Sequence, residues 1–183
     1  MDNLLIQTLR DQEDYATFAK GLRHETNRGA VLVATSALDS LLKALLMTKL
    51  DTSEMSSDQK QDLGNSIKNF TSKVALAHAM GLIGKSEAKA LIALNEVRNK
   101  LAHKWDASFE DKNIQLACEK LPLEFLDTLE KTESETAYDR FKFQIDIMLR
   151  DLIARVGRIK LNGEITAFSE KSRIDREHAE CPW

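Results

Sequence analysis

Read for the spacing of its apolar positions, the chain is a succession of amphipathic helices. Leu4, Leu5, Leu9, Tyr15, Phe18 and Leu22 recur at helical intervals over residues 3–22. A second helix is predicted from Thr26 to about Lys49. Val31, Ala34, Leu38, Leu41, Leu42 and Leu45 line one side of it, and Val33, Ala37, Ala44 and Leu46 carry apolar character round the rest, as expected of a central, buried helix. Residues 51–66 are almost devoid of apolar positions and read as a long loop. Ile67, Phe70, Val74, Leu76, Ala77 and Met80 predict a third helix, with Gly81 just past its end. A fourth is predicted from an N-cap at Ser86, with Glu87 in its first turn, to about Trp105. A short helix over residues 111–120 stops before Pro122, and residues 123–129 read as another short piece. Thr132 with Glu135 has capping-box spacing ahead of a long last helix whose seam is Phe141, Ile145, Met148, Leu152, Val156 and Ile159. The periodicity fades after Leu161. The expected organisation is therefore one helical bundle over residues 1–161 and a flexible tail over 162–183.

Composition agrees with this pattern. Only 7 glycines and 2 prolines occur in 183 residues, so the residues that punctuate sheets and tight turns are scarce, and an all-α, single-domain bundle is expected. Hydrophobic residues make up 43 % and aromatic ones 6 %, which predicts a core of Leu, Ile, Val and Ala. The formal net charge of −3 excludes a chain-wide electrostatic attraction for nucleic acid and leaves room for a local one. Cys118 and Cys181 lie far apart, without the spacing of a disulfide framework or a zinc site. His24, His78 and His178 show no metal-ligand spacing, and neither a metal nor a cofactor is expected. The apolar run from Val31 to Leu50 is broken by Asp39 and Lys43, and no basic segment precedes an apolar one at the start. A cytoplasmic protein without membrane insertion is the expectation.

The fourth helix carries the most informative chemistry. On a wheel of about 100° per residue centred on Arg98, Leu91, Leu94, Leu101, Ala102 and Trp105 all fall within about 60° of it, so the arginine stands in the middle of the apolar arc. A guanidinium buried there requires a partner. Three answers stay open: an internal salt bridge to Asp39 of the central helix, a stem that snorkels to the surface, or an anionic ligand. His103 lies about 140° round the same helix and about 7.5 Å further along, while Asn99 and His103 share a side at i, i+4. A joint Arg98–His103 site then needs a loosened helix end, long side chains converging on one groove, or a second copy of the helix.

The segment Glu96-Val97-Arg98-Asn99-Lys100-Leu101-Ala102-His103 resembles the Arg-polar-x-x-x-His signature of HEPN domains, small helical modules prominent among prokaryotic RNA-cleaving toxins and defence proteins. A longer stretch, residues 26 to about 121, is similar to the mannitol operon repressor family, a HEPN-related group. Its matching parts are Arg28 to Ala34, Asp39 to Leu42, Leu63-Gly64 with Phe70 and Lys73, Leu76 to Ile83, and Ser108 to Asp111 with Cys118. This resemblance implies a homodimer with facing signature helices, in which Arg98 and His103 are catalytic and Asn99 is their polar support. The repressor group is similar to transcription regulators that lack an evident DNA-binding motif. Arg98, Arg28 and Asp39 form the candidate anion- or partner-binding set.

Metal-free RNA cleavage suits these residue types. It needs a base for the 2′-OH proton, an acid for the leaving 5′-oxygen and cationic donors for the phosphorane. The expected function is regulation of gene expression through RNA binding or metal-independent cleavage at Arg98 and His103. The alternative is a non-catalytic transcription regulator or protein-binding module with a structural Arg98. Direct sequence-specific DNA reading ranks below both, since no helix-turn-helix is evident. Gly84-Lys85-Ser86 resembles the end of a phosphate-binding P-loop but follows a helix, not a strand. The last helix carries Arg150, Arg155, Arg158 and Lys160, a basic run read either as a solvated face or as a phosphate contact.

Overall fold

The computed structural model describes residues 12–50, 53–122 and 136–162. Among these there are helices and no strands: α1 (Gln12–Leu22), α2 (Asn27–Met47), α3 (Ser57–Ser66), α4 (Phe70–Ala79), α5 (Lys85–His103), α6 (Lys112–Glu119) and α7 (Ala137–Asn162). The start of the first predicted helix, the piece at 123–129, Thr132, Glu135 and the tail beyond 162 lie outside the described residues.

Polar caps set most of the helix starts. Thr26 accepts a hydrogen bond from the Gly29 N–H at 3.0 Å, and Asn69 Oδ1 accepts from Thr71 and Ser72 at 2.8 and 3.4 Å. At α7 the Asp139 N–H donates to Thr136 Oγ1 and the Thr136 N–H donates to Asp139 Oδ2, both at 3.1 Å. This reciprocal box lies four residues beyond the one predicted at Thr132. At the far end of α4, Gly81 has φ 68°, and its N–H and that of Leu82 donate to His78 and Ala77 at 3.0 and 2.9 Å, closing the helix in the left-handed turn that glycine permits.

Residues 57–66, predicted as loop, form α3. Ser56 and Gln59 cap one another there, Ser56 N–H to Gln59 Oε1 at 2.9 Å and Gln59 N–H to Ser56 Oγ at 3.3 Å. None of the ten residues of α3 is buried, so a search for an apolar face had nothing to find, whereas the capping box was readable in the sequence.

The core is built round α2, which buries Ala30, Val31, Ala34, Thr35, Ala37, Leu38, Leu41, Leu42, Leu45 and Leu46 against α1, α4, α5 and α7. By length and composition α2 is apolar enough to cross a membrane, and here those apolar residues are the centre of a bundle. The α7 seam fits against it through Phe141, Ile145, Met148, Leu152 and Val156, all buried as their spacing predicts. The Tyr15 hydroxyl donates to Asp146, which also pairs with Arg150 at 3.0 Å, so a polar latch holds α1 to α7. Burial and the Asp146 carboxylate both push the Tyr15 pKa upward.

Candidate functional site

α5 presents different chemistry at its two ends. Its N-terminus begins after Gly84, whose N–H donates to Glu87 Oε2 at 2.6 Å. Glu87 is 2 % exposed and is clamped by Arg155 of α7, Nη2 to Oε1 at 2.8 Å and Nη1 to Oε2 at 3.3 Å, while Nη1 also donates to the Leu82 carbonyl at 2.6 Å. Ser86 is inside the helix and not its cap. A carboxylate already occupies this helix start, which makes the Gly84-Lys85-Ser86 segment a poor phosphate cradle. Arg155, in the basic run of the last helix, is a buried structural cation, and Arg150 is paired with Asp146. Arg158 is exposed, with Nε 3.4 Å from the Ala154 carbonyl.

The C-terminus of α5 carries Arg98, Asn99 and His103. The helix stops at His103 because Lys104 turns into extended backbone, φ −119° and ψ 131°. Arg28 from the start of α2 reaches across and donates Nη1 to the Trp105 carbonyl at 2.6 Å and Nη2 to the Ala102 carbonyl at 3.3 Å, satisfying acceptors that the ended helix leaves open. The chain beyond is anchored by Phe109, whose ring lies 4.9 Å from that of Tyr138 and 5.9 Å from that of Phe141 on α7. Asp111 Oδ2 accepts from the Ser108 N–H at 3.2 Å just before α6.

Between α5, this turn and α6 lies an open cleft of about 750 Å³, lined by Asn95, Glu96, Asn99, Lys100, His103, Lys104, Asp111 and Lys112 among others. Glu96 is engaged by Lys120 at 3.0 Å and by Lys100 at 3.7 Å, so its charge is balanced by neighbouring lysines. His103 and Lys104 are exposed. Arg98 is not part of the lining. It is exposed on the adjoining face, where Nη1 donates to Asn99 Oδ1 at 2.9 Å. Asn99 therefore joins the two predicted members: it holds the guanidinium on one side and shares the cleft with His103 on the other.

Three expectations are corrected by this geometry. Arg98 does not stand in the middle of the buried arc. The buried residues of α5 are Glu87, Ala90, Leu91, Ala93, Leu94, Val97 and Leu101, and they centre about 60° away from it on the wheel. Ala90, Ala93 and Val97, which the predicted arc leaves out, lie about 80–140° to one side of the arginine and are buried, whereas Ala102 is half-buried and Trp105 lies beyond the helix end, 88 % exposed. Second, Asp39 does not meet Arg98. Its Oδ2 is 2.6 Å from Nζ of Lys73, a lysine buried in α4. Third, Arg28 of the candidate anion set is engaged with backbone carbonyls and acts as a cap on the signature helix.

The residues that sequence reasoning missed come from elsewhere in the chain. Lys112 and Asn113 of α6 reach the cleft only because α6 packs against α5. Cys118, also on α6, is buried, and burial pushes its thiol up to about 12, against a smaller opposing effect of Arg140, so it stays protonated. His24 is exposed, and His78 has Nδ1 3.1 Å from the Ile83 carbonyl. Among the described residues, no three His, Cys, Asp or Glu side chains gather at metal-binding distance. No known protein family, curated protein or solved structure matches the chain.

Proposed function

We propose that the chain is a HEPN-related regulator of gene expression, similar to the mannitol operon repressor group, which binds RNA at the C-terminal end of α5 and cleaves it without a metal. The observation that carries this reading is the exposure of Arg98 and His103 on the last turns of one helix, with Asn99 accepting from Arg98 and lining the same open cleft as His103. A structural role for Arg98 against Asp39 finds no support in this arrangement, because the two are not paired and Lys73 holds the aspartate.

The chemistry requires no added reactant. A base removes the 2′-OH proton, the 2′-oxygen bonds to phosphorus, the bond from phosphorus to the 5′-oxygen breaks, and an acid protonates that oxygen. The products are a 2′,3′-cyclic phosphate and a 5′-hydroxyl. His103 is suited to one of the proton transfers and Arg98, with its planar fork, to the phosphorane oxygens. Lys100, Lys104 and Lys112 supply positive charge for the flanking phosphates. In a homodimer with facing α5 helices, the second His103 would serve as the other proton donor or acceptor.

The test is an RNA cleavage assay in EDTA with melting temperatures measured in parallel. His103→Ala is expected to lower cleavage by about 100-fold or more, the usual worth of a positioned acid or base, with an unchanged melting temperature because the side chain is exposed. Arg98→Lys is expected to impair cleavage as well, since an ammonium lacks the fork. A wild-type chain that leaves RNA intact, or activity that needs magnesium, refutes the nuclease reading.

A further inference from the structure

Among the large apolar side chains left exposed in the described residues, Trp105 stands apart at 88 %, against 36–45 % for Val33, Leu76, Ile92 and Leu116. An indole of this size is normally covered, and leaving it in water has a cost that packing among the described residues does not recover. Its backbone is nevertheless held firmly. Arg28 Nη1 donates to the Trp105 carbonyl at 2.6 Å, and the turn that follows is fastened to α7 by Phe109. The structure thus presents an aromatic ring from a fixed point, two residues past His103, which places its Cα within about 7 Å of that of the histidine.

The surroundings identify what would cover it. From Val97 to Trp105 the chain carries Arg98, Lys100, His103 and Lys104; the carboxylates flanking this stretch are Glu96, engaged by Lys120 and Lys100, and the exposed Asp106, so cations outnumber free carboxylates beside the ring. Cations beside an uncovered aromatic ring suit a polyanion whose units carry flat, apolar faces. We infer that Trp105 is a stacking platform for an unpaired base of single-stranded RNA, positioning the strand so that its backbone runs past His103 and Arg98. The inference rests on the reading of this helix end as an RNA site and adds the substrate class, because a ring can stack on a base only where that base is free of a duplex.

The experiment uses the full chain in a Trp183→Phe background, so that Trp105 is the single tryptophan. The probe is a short single-stranded RNA with 2′-O-methyl at every position, which cannot be cleaved, compared with its duplex and with an abasic strand of equal charge. Trp105 fluorescence is expected to be quenched by the single strand and not by the abasic one. Trp105→Ala is expected to weaken binding between about fivefold and 150-fold, and Trp105→Phe to retain most of it. The salt dependence and melting temperature should stay as in wild type, since neither a phosphate contact nor a buried group is removed. Equal affinity of wild type and Trp105→Ala overturns the stacking role and leaves the RNA reading standing. Absence of binding by wild type to any strand overturns both. Conversion of a dimer to a monomer by Trp105→Ala, seen in light scattering, assigns the ring to a protein contact and also overturns the inference.

Discussion

At one end of α5 the Glu87 carboxylate and the Arg155 guanidinium are 2 % and 6 % exposed and grip each other through two contacts. At the other, about 16 Å along the axis, Arg98 is in solvent with one hydrogen bond to its neighbour Asn99. The spacing of apolar residues predicts a different arrangement, with Arg98 within the apolar arc and met by a salt bridge, a snorkelling stem or an anionic ligand, and Arg155 in a solvated or phosphate-touching run. The difference shows what burial does to a charge. A guanidinium removed from water must have its donors matched within the fold, so it becomes part of the architecture, whereas an exposed one retains donors that can face a ligand. The N-terminal end of α5 is a structural joint, and the C-terminal end leaves Arg98, His103 and Lys104 open to solvent.

The sharpest way to break this contrast is to remove each arginine in turn. Arg155→Ala should destabilise the fold by about 3–5 kcal/mol, because it leaves Glu87 charged and unpaired in the interior, and Glu87→Ala should act similarly. Arg98→Ala should stay within about 0.5 kcal/mol of wild type. Thermal or denaturant unfolding of the three variants decides it, and a large loss in Arg98→Ala would erase the distinction between the two ends.

A smaller effect bears on the exposed end of α5. Arg28→Ala removes the donors to the Ala102 and Trp105 carbonyls and should cost about 1–2 kcal/mol, with faster hydrogen exchange of the amides from 102 to 106. Unchanged exchange there would mean that the turn holds itself without the arginine.

The smallest expected effect is at the exposed start of α7. Burial alone would raise the Asp139 pKa, but hydrogen bonds from Lys142 and Thr136 and the Lys142 charge outweigh it and hold the carboxyl below its usual value. A group so lowered stabilises the fold above its unfolded pKa and loses that contribution as pH falls through the folded one. Asp139→Asn should therefore cost up to about 1 kcal/mol near neutral pH, and the two proteins should converge in melting temperature well below pH 4. A difference that persists unchanged into that acid range would assign the cap to shape and not to charge.

Most of the architecture could be read from the chain because it rests on local rules. The seam Phe141, Ile145, Met148, Leu152, Val156 and the buried stripe of α2 follow from helical period, and the stop at Gly81 follows from the conformation that glycine permits. α3 escaped because it has no buried face, although Ser56 and Gln59 mark its start. At the candidate site, Arg98, Asn99 and His103 are named by the family resemblance and sit near one helix end, and Arg98 donates to Asn99. The exposure of Arg98 was not readable from the apolar arc, because that arc leaves out Ala90, Ala93 and Val97, whose burial turns the inward face of the helix away from the arginine.

What the sequence determined by itself is the helical character of the chain, the inward faces of α2 and α7, and the placement of Arg98, Asn99 and His103 near one helix end, all of which depend on residues within a few positions of each other. Only the tertiary structure decided which charges are buried and which are open. Arg155 meets Glu87, Lys73 meets Asp39, and Arg28 meets the end of α5 across long separations in the chain. Each partnership depends on where the packing of α2 brings the other helices, since the cost of desolvating a charge is set by what surrounds it in space and not by its neighbours in sequence.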